Sequence, residues 1–322
     1  MVVAQVQSNE AGKAVERPSF AAGFPPPLII LGAPRSYTSL VSTMIGQHPE
    51  CYGMPELNLF LAETVGELVE SLSGYKQIQL HGLLRAVAQL YAGEQTMAAL
   101  DLARRWLIPR MQARTGEVYH ELCRRVSPLL IVDKSPAYAL EPRYLARIDA
   151  AFPDAMYLHL LRHPRGQGES LMRVGKGVMA VLANAIDYDT EPPTIDPQLS
   201  WYRLQSNIVT FLEGVPAQRQ CRMRGEDILN DPLTHFEHLC QWLGITEARP
   251  ALAAMFHPED SPYSSVGPLG AHLGNDINFL QSPRYRAGGV TIPSLNGALS
   301  WRADGKGFRP EVIELAQALG YS

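Results

Sequence analysis

An α/β fold, a central parallel sheet flanked by helices in three layers, is predicted by three features of this sequence. Its strand candidates are short and almost continuously apolar, as in "LIIL" (28–31), "PLLIVDKSP" (about 129–133) and "AMYLHLLRHP" (about 156–161). Strands of that kind are buried on both faces, which requires helices above and below. Segments with apolar residues at i, i+3, i+4 spacing separate them. The composition, 46% hydrophobic and 19% charged over 322 residues, is that of a globular chain able to build a large core.

The elements follow in order. Residues 1–25 read as a disordered or linker-like lead-in that stops at Pro25-Pro26-Pro27, and 26–322 as a single domain. The first strand runs through Gly32-Ala33-Pro34-Arg35-Ser36 into a helix beginning around Tyr37. Helical spacing over roughly 59–73, 80–91 and 96–114 predicts a block of helices inserted after this first unit. A helix over 141–151 separates the next two strands, a long helix covers 198–213, and "QCRMR" at 220–224 is a fourth strand. In "NDPLTHFEHLCQWLG", Asn230 or Asp231 caps a helix, Pro232 takes its first turn and Gly244 stops it. Residues about 258–310, rich in Gly, Pro, Ser and Asn, predict a long loop region of the kind that builds a substrate lid or pocket. A helix over about 310–319 ends the chain.

A net charge of −4 and a pI near 6.1 provide no global field for nucleic acid or an anionic membrane, so any polyanion must be met locally. Cys51, Cys123, Cys221 and Cys240 lie far apart with no C-x-x-C pair and no His at metal-ligand spacing, which predicts free thiols and no metal site. With no signal-like start and no run of 18 apolar residues, the expected location is cytoplasmic.

Two segments are built to handle anions. A strand ending in a tight turn that opens a helix aims unpaired N–H groups at one point, and the helix dipole adds positive potential. Arg35 adds a charged fork there, and Ser36, Thr38 and Ser39 add hydroxyls. In "LLRHPRGQGESLMRVGKG", Arg162 stands at a strand end and Ser170 about two helical turns on, eight residues apart, a spacing that suits a guanidinium and a hydroxyl gripping one phosphate. His159 and His163 flank this strand as structural residues.

These segments resemble the 5′-phosphosulfate loop and the 3′-phosphate motif of sulfotransferases that use 3′-phosphoadenosine 5′-phosphosulfate (PAPS). "MRGEDILNDP" (223–232) resembles the strand-to-helix segment that follows in that family, and "VDKSP" (132–136) the Asp-Lys-Thr-Pro strand end of many bacterial members. The likeness runs from about residue 26 to 244. Within the family it is closer to bacterial sulfotransferases found alone or embedded in polyketide and peptide synthases of secondary metabolism, through "MPELNLF" and the late "GAHLGNDINF". One departure is Tyr37, where the commonest first loop has glycine; a phenol does not let ligand and backbone approach as glycine does.

The resemblance implies a P-loop-like fold and metal-free, in-line transfer of a sulfonate from PAPS to a hydroxyl, releasing 3′-phosphoadenosine 5′-phosphate (PAP). Arg35, Ser36, Tyr37, Thr38 and Ser39 would hold the 5′-phosphosulfate, Lys134 would reach the bridging oxygen, and Arg162 and Ser170 would grip the 3′-phosphate. Trp301 and Arg302 loosely resemble the segment that covers the nucleotide. Two residues are candidates for the base that activates the acceptor, His272 in the late loop and Glu56 in "MPELNLF". The apolar stretches "LNLFLAETVGELVE" and "VMAVLANAI" favour a small-molecule or acyl-type alcohol, with a β-hydroxyacyl chain on a carrier protein as one form. Rival readings are a P-loop kinase or NTPase, which would need a Gly-Lys-Ser/Thr loop absent from "LGAPRSYTS", and a nucleotide-binding protein without turnover.

Overall fold

The computed structural model describes residues 23–177, 180, 181 and 183–322. Most of the expected lead-in therefore lies outside the described residues, as do Val178, Met179 and Leu182 of the apolar run "VMAVLANAI". The elements are β1 (Leu28–Leu31), α1 (Thr38–Gly46), β2 (Cys51–Gly53), α2 (Val65–Ser71), α3 (His81–Ala92), α4 (Met97–Leu107), α5 (Thr115–Val126) and β3 (Leu130–Asp133). They continue with α6 (Pro142–Ala151), β4 (Met156–Leu161), α7 (Pro164–Arg173), β5 (Ile186–Asp187), β6 (Thr194–Ile195), α8 (Pro197–Glu213) and β7 (Gln220–Arg224). Last come α9 (Gly225–Asn230), α10 (Pro232–Leu243), α11 (Arg249–Ala254), α12 (Ile277–Gln281) and α13 (Pro310–Ala318).

Five strands form one parallel sheet in the order β2-β3-β1-β4-β7. β1, at the centre, shows how the layers arise. Successive side chains of a strand point to opposite faces, so Ile29 and Leu31 join one core with Tyr157 of β4 and the helices α2 to α6 and α8. Leu28 and Ile30 join the other core, with α1, α9, α10 and α11. All four residues are fully buried, as the continuous apolar run requires. A third cluster, around Trp201, Leu295, Leu299 and Phe308, packs the C-terminal segment and α13 onto the end of β4. Among the described residues no helix is long and apolar enough to cross a membrane.

Several boundaries differ from expectation for local reasons. The helix expected over 59–73 starts only at Val65, because Thr64 and Glu67 form a reciprocal capping box inside it. The one expected over 96–114 ends at Leu107, before Pro109, and the chain then turns tightly through Ile108–Arg110. The sheet gains an edge strand, β2, whose three residues and terminal glycine are too few to signal a strand. The long loop region after residue 258 is largely as expected, except that Asp276 caps the short α12.

Candidate active site

The turn after β1 is tightly packed. A Cβ on Gly32 would lie 2.6 Å from the Leu160 carbonyl oxygen, so only glycine lets β1 pass this close to β4. Arg35 and Tyr37 then adopt the left-handed region, at φ 69° and 60°, and swing the chain into α1. That helix has neither a side-chain cap nor an acid in its first turn, leaving its terminal N–H groups free for an anion. Ser36 is fully buried and its hydroxyl has no partner.

The β4–α7 corner is bonded onto this turn from the other side. Arg162 Nη1 donates to the Arg35 carbonyl at 2.5 Å, Gln167 Nε2 to the Pro34 carbonyl at 2.9 Å, and Arg35 Nε to Ser170 Oγ at 3.1 Å. The Arg162 guanidinium lies 4.2 Å from the centroid of the Tyr37 ring, and its Nε is buried without a partner. Burial, followed by the nearby Arg162 and Arg173, pulls the Arg35 pKa down from its ordinary value; burial does the same to Arg162. Arg35, Arg162 and Ser170 thus converge, with Ser170 held by Arg35. His163 caps α7, with Nδ1 accepting from the Arg165 amide at 3.1 Å and its own amide on Glu226 at 2.9 Å. Burial lowers the His163 pKa to about 4. His159 pairs with Gln205 inside the core, and burial lowers its pKa to about 4 as well.

A third cation comes from the end of β3. Lys134 is 0% exposed, and its Nζ reaches Glu56 Oε1 at 2.6 Å, Ser39 Oγ at 2.9 Å and Asn275 Oδ1 at 3.2 Å. Glu56 lies in the extended stretch after β2, its amide bonded to the Gly274 carbonyl at 2.7 Å. Beside Lys134, the fully buried Asp133 accepts from Tyr138 at 3.1 Å and Ser135 at 3.2 Å, and burial pushes its pKa up to about 7.

Arg35, Tyr37, Thr38, Ser39 and Arg162 line a cavity of about 250 Å³. Its remaining wall comes from the segment after His272, with Asp276, Phe279 and Arg284 facing the same space. The stretch "GAHLGNDINF" carries the family likeness, yet sequence reasoning singles out only His272 in it as a site residue and misses Asp276 and Phe279. His272 is exposed, outside the residues that line this cavity, with Nδ1 3.1 Å from the Gly267 carbonyl. Trp301 packs on α7, where a Cβ on Gly168 would come within 2.6 Å of its ring, and its Nε1 donates to Asp196 at 2.9 Å. Arg302 is committed to two carboxylates, Asp196 at 2.6 Å and Asp304 at 2.7 Å.

Comparison with known proteins gives this geometry a relationship. Residues 26–249 match the sulfotransferase family, whereas no curated protein matches the chain. Among solved structures, the sulfotransferase domain from the curacin biosynthetic pathway is 25% identical, with a TM-score of 0.73 over 92% of this chain and 98% of that one. The sulfotransferase domain of the Synechococcus PCC 7002 olefin synthase is also 25% identical, with a TM-score of 0.71 over 96% and 99%. With the match spanning the turn after β1, the β4–α7 corner and the end of β3 that leads into Lys134, the chain belongs to the sulfotransferase family and is an enzyme of sulfonyl transfer.

Proposed function

We propose that the protein transfers the sulfonate of PAPS to a hydroxyl of an acyl-type acceptor and releases PAP. One observation carries this reading: the open N-terminus of α1, Arg35, Lys134, Arg162 and Ser170, drawn from three separate strand ends, converge on one site. The loop amides and Arg35 hold the 5′-phosphosulfate, and Arg162 with Ser170 grips the 3′-phosphate. In the transfer the acceptor oxygen attacks sulfur in line, the bond from sulfur to the 5′-phosphate oxygen breaks, and the electron pair leaves on PAP. Lys134, already bonded to Ser39 at the mouth of the loop, meets that developing charge. Positioning and charge stabilisation do most of the work, as in phosphoryl transfer.

The acceptor proton goes to a base. Glu56 is committed to a short ion pair with the buried Lys134, whereas His272 keeps Nε2 free because its Nδ1 faces a carbonyl, the tautomer a base needs. We assign the base to His272 and the holding of Lys134 to Glu56. The acceptor class rests on the two similar domains, one from a biosynthetic pathway and one from an olefin synthase. A β-hydroxyacyl chain on a carrier protein is the form we expect.

Calorimetric titration with PAP, beside ATP with Mg²⁺, tests the cosubstrate: PAP binds and ATP does not. The reverse result removes the reading. With an acceptor in hand, His272→Ala should lower turnover ~10²- to 10⁴-fold, and a loss of only a few-fold would move the base elsewhere.

A further inference from the structure

Three consecutive residues of the late loop reach Lys134, the Glu56 that holds it, and Arg35. The Gly274 carbonyl accepts the Glu56 amide at 2.7 Å, Asn275 Oδ1 accepts from Lys134 Nζ at 3.2 Å, and the Asp276 carboxylate pairs with the Arg35 guanidinium through Oδ2 and Nη1. Asp276 also faces the cavity in which Arg35 stands. Its two oxygens divide the labour. Oδ1 caps α12, accepting from the amides of Asn278 at 2.9 Å and Phe279 at 3.3 Å, which leaves Oδ2 for Arg35. The Asp276 amide completes the attachment by donating to Ser39 Oγ at 3.1 Å, the same hydroxyl that accepts from Lys134.

We propose that Asp276 is a residue of the nucleotide site whose carboxylate occupies Arg35 in the free enzyme and competes with the 5′-phosphate for it. The proposal rests on the reading that the loop after β1 holds the 5′ end of PAPS. A helix cap needs only one carboxylate oxygen, so the second oxygen on Arg35 is not required by the fold of α12. The pair is also no ordinary surface contact, since both side chains lie largely covered inside the anion cavity, at 12% and 26% exposure. An incoming phosphate must displace Asp276 from Arg35 or share that cation with it. Asp276 therefore weakens nucleotide binding and speeds the departure of PAP, whose 5′-phosphate gives Arg35 up to the waiting carboxylate. Because binding free energies are reciprocal, nucleotide occupancy in turn loosens the 274–276 segment that steadies Lys134 and Glu56.

Asp276→Asn isolates the charge, because asparagine caps a helix about as well as aspartate. Calorimetric titration of the wild type and this variant with PAP, and separately with inorganic sulfate, tests the proposal. Loss of a charged hydrogen-bonding competitor should tighten PAP on the order of tenfold or more, with the thermal midpoint nearly unchanged. Equal or weaker PAP binding by a folded variant, where the wild type binds PAP, overturns the proposal and leaves the cosubstrate reading intact. If the wild type binds no PAP, the cosubstrate reading fails and Asp276 loses its place in a nucleotide site; tighter sulfate binding by the variant would then show competition at Arg35 alone. Should Asp276→Asn not fold, Asp276→Ser, another good cap, takes its place in the same titrations.

Discussion

Tyr37 shows how much one residue can hold in balance. It adopts φ 60°, a left-handed conformation costing a non-glycine residue about 1 kcal/mol. In return its ring stacks on the Arg162 guanidinium at 4.2 Å and packs against Gly225, where a Cβ would come within 2.6 Å of Cδ2. A partly buried cation–π contact of this kind contributes on the order of 1 kcal/mol. The two terms nearly cancel, and that yields a test. Tyr37→Gly should unfold in urea within about 1 kcal/mol of the wild type, because it relieves the backbone as it loses the stack. Tyr37→Ala loses the stack and keeps the strain, so it should be less stable than Tyr37→Gly by roughly 1 kcal/mol. An alanine variant as stable as the glycine variant would mean that the turn carries no strain. The phenol that replaces the expected glycine thus orients Arg162, the cation assigned to the 3′-phosphate.

Among the elements, β3 is the most heavily loaded. Its alternation buries Ile131 on one face and Val132 on the other, and its end delivers Asp133, Lys134 and Ser135 to the site side of the sheet. Asp133 is surrounded by Tyr138, Ser135 and Tyr119, with Lys134 and Glu56 acting more weakly, and burial raises its pKa to about 7. The group therefore binds its proton more tightly in the folded chain than in the unfolded one, whose carboxylate titrates near ~3.9. Its contribution to stability is full below the unfolded value and is lost as pH rises through about 7. Asp133→Asn mimics the protonated form and titrates nowhere in this range. The stability of the variant relative to wild type should rise between about pH 4 and 7, by a few kcal/mol at most, and level off above. Urea unfolding at pH 5, 6, 7 and 8 measures this, and a constant difference would mean that the buried carboxyl is ionised throughout. Ser135 relays the same carboxyl to the Asn58 amide at 3.1 Å, which fixes the stretch bearing Glu56.

At the scale of the molecule, the Gly- and Pro-rich C-terminal region is tied to the catalytic layer by few but specific bonds. Arg165, in the first turn of α7, donates to the carbonyls of Ser294 at 3.1 Å, Asn296 at 2.8 Å, Gly297 at 3.2 Å and Ala298 at 2.7 Å. Trp301 and Arg302 reach Asp196, just before α8. One side chain that satisfies four carbonyls of an otherwise irregular segment is a local clamp rather than a global one. Arg165→Ala should therefore speed amide exchange over residues 294–301 while the thermal midpoint moves by only a few degrees, a loss of about 1 to 2 kcal/mol. A large drop in the midpoint with no selective exchange would show instead that the segment unfolds together with the sheet.

Much of this architecture could be read from short stretches. The run Leu28–Leu31 has no polar position, so it has to be a strand buried on both faces; Pro232 and Gly244 bracket α10 as expected; and Arg35, Arg162 and Ser170 stand out as candidates from the turn, the strand end and the eight-residue spacing they occupy. α5 passed unread although Val118, Tyr119, Leu122, Cys123 and Val126 lie on one buried face, because its exposed face is strongly polar. β2 was too short to show. What the sequence determined by itself is whatever depends on neighbours a few residues away: strand faces, caps, and turns that bare their amides. Only the tertiary structure decided which side chains meet, since strand order brings Lys134 to Glu56 across 78 positions and to Asn275 across 141. It also closed the carboxylate of Asp276 onto Arg35. Such pairings depend on how the sheet is wound and on where a loop without periodicity comes to rest, and neither leaves a local pattern in the chain.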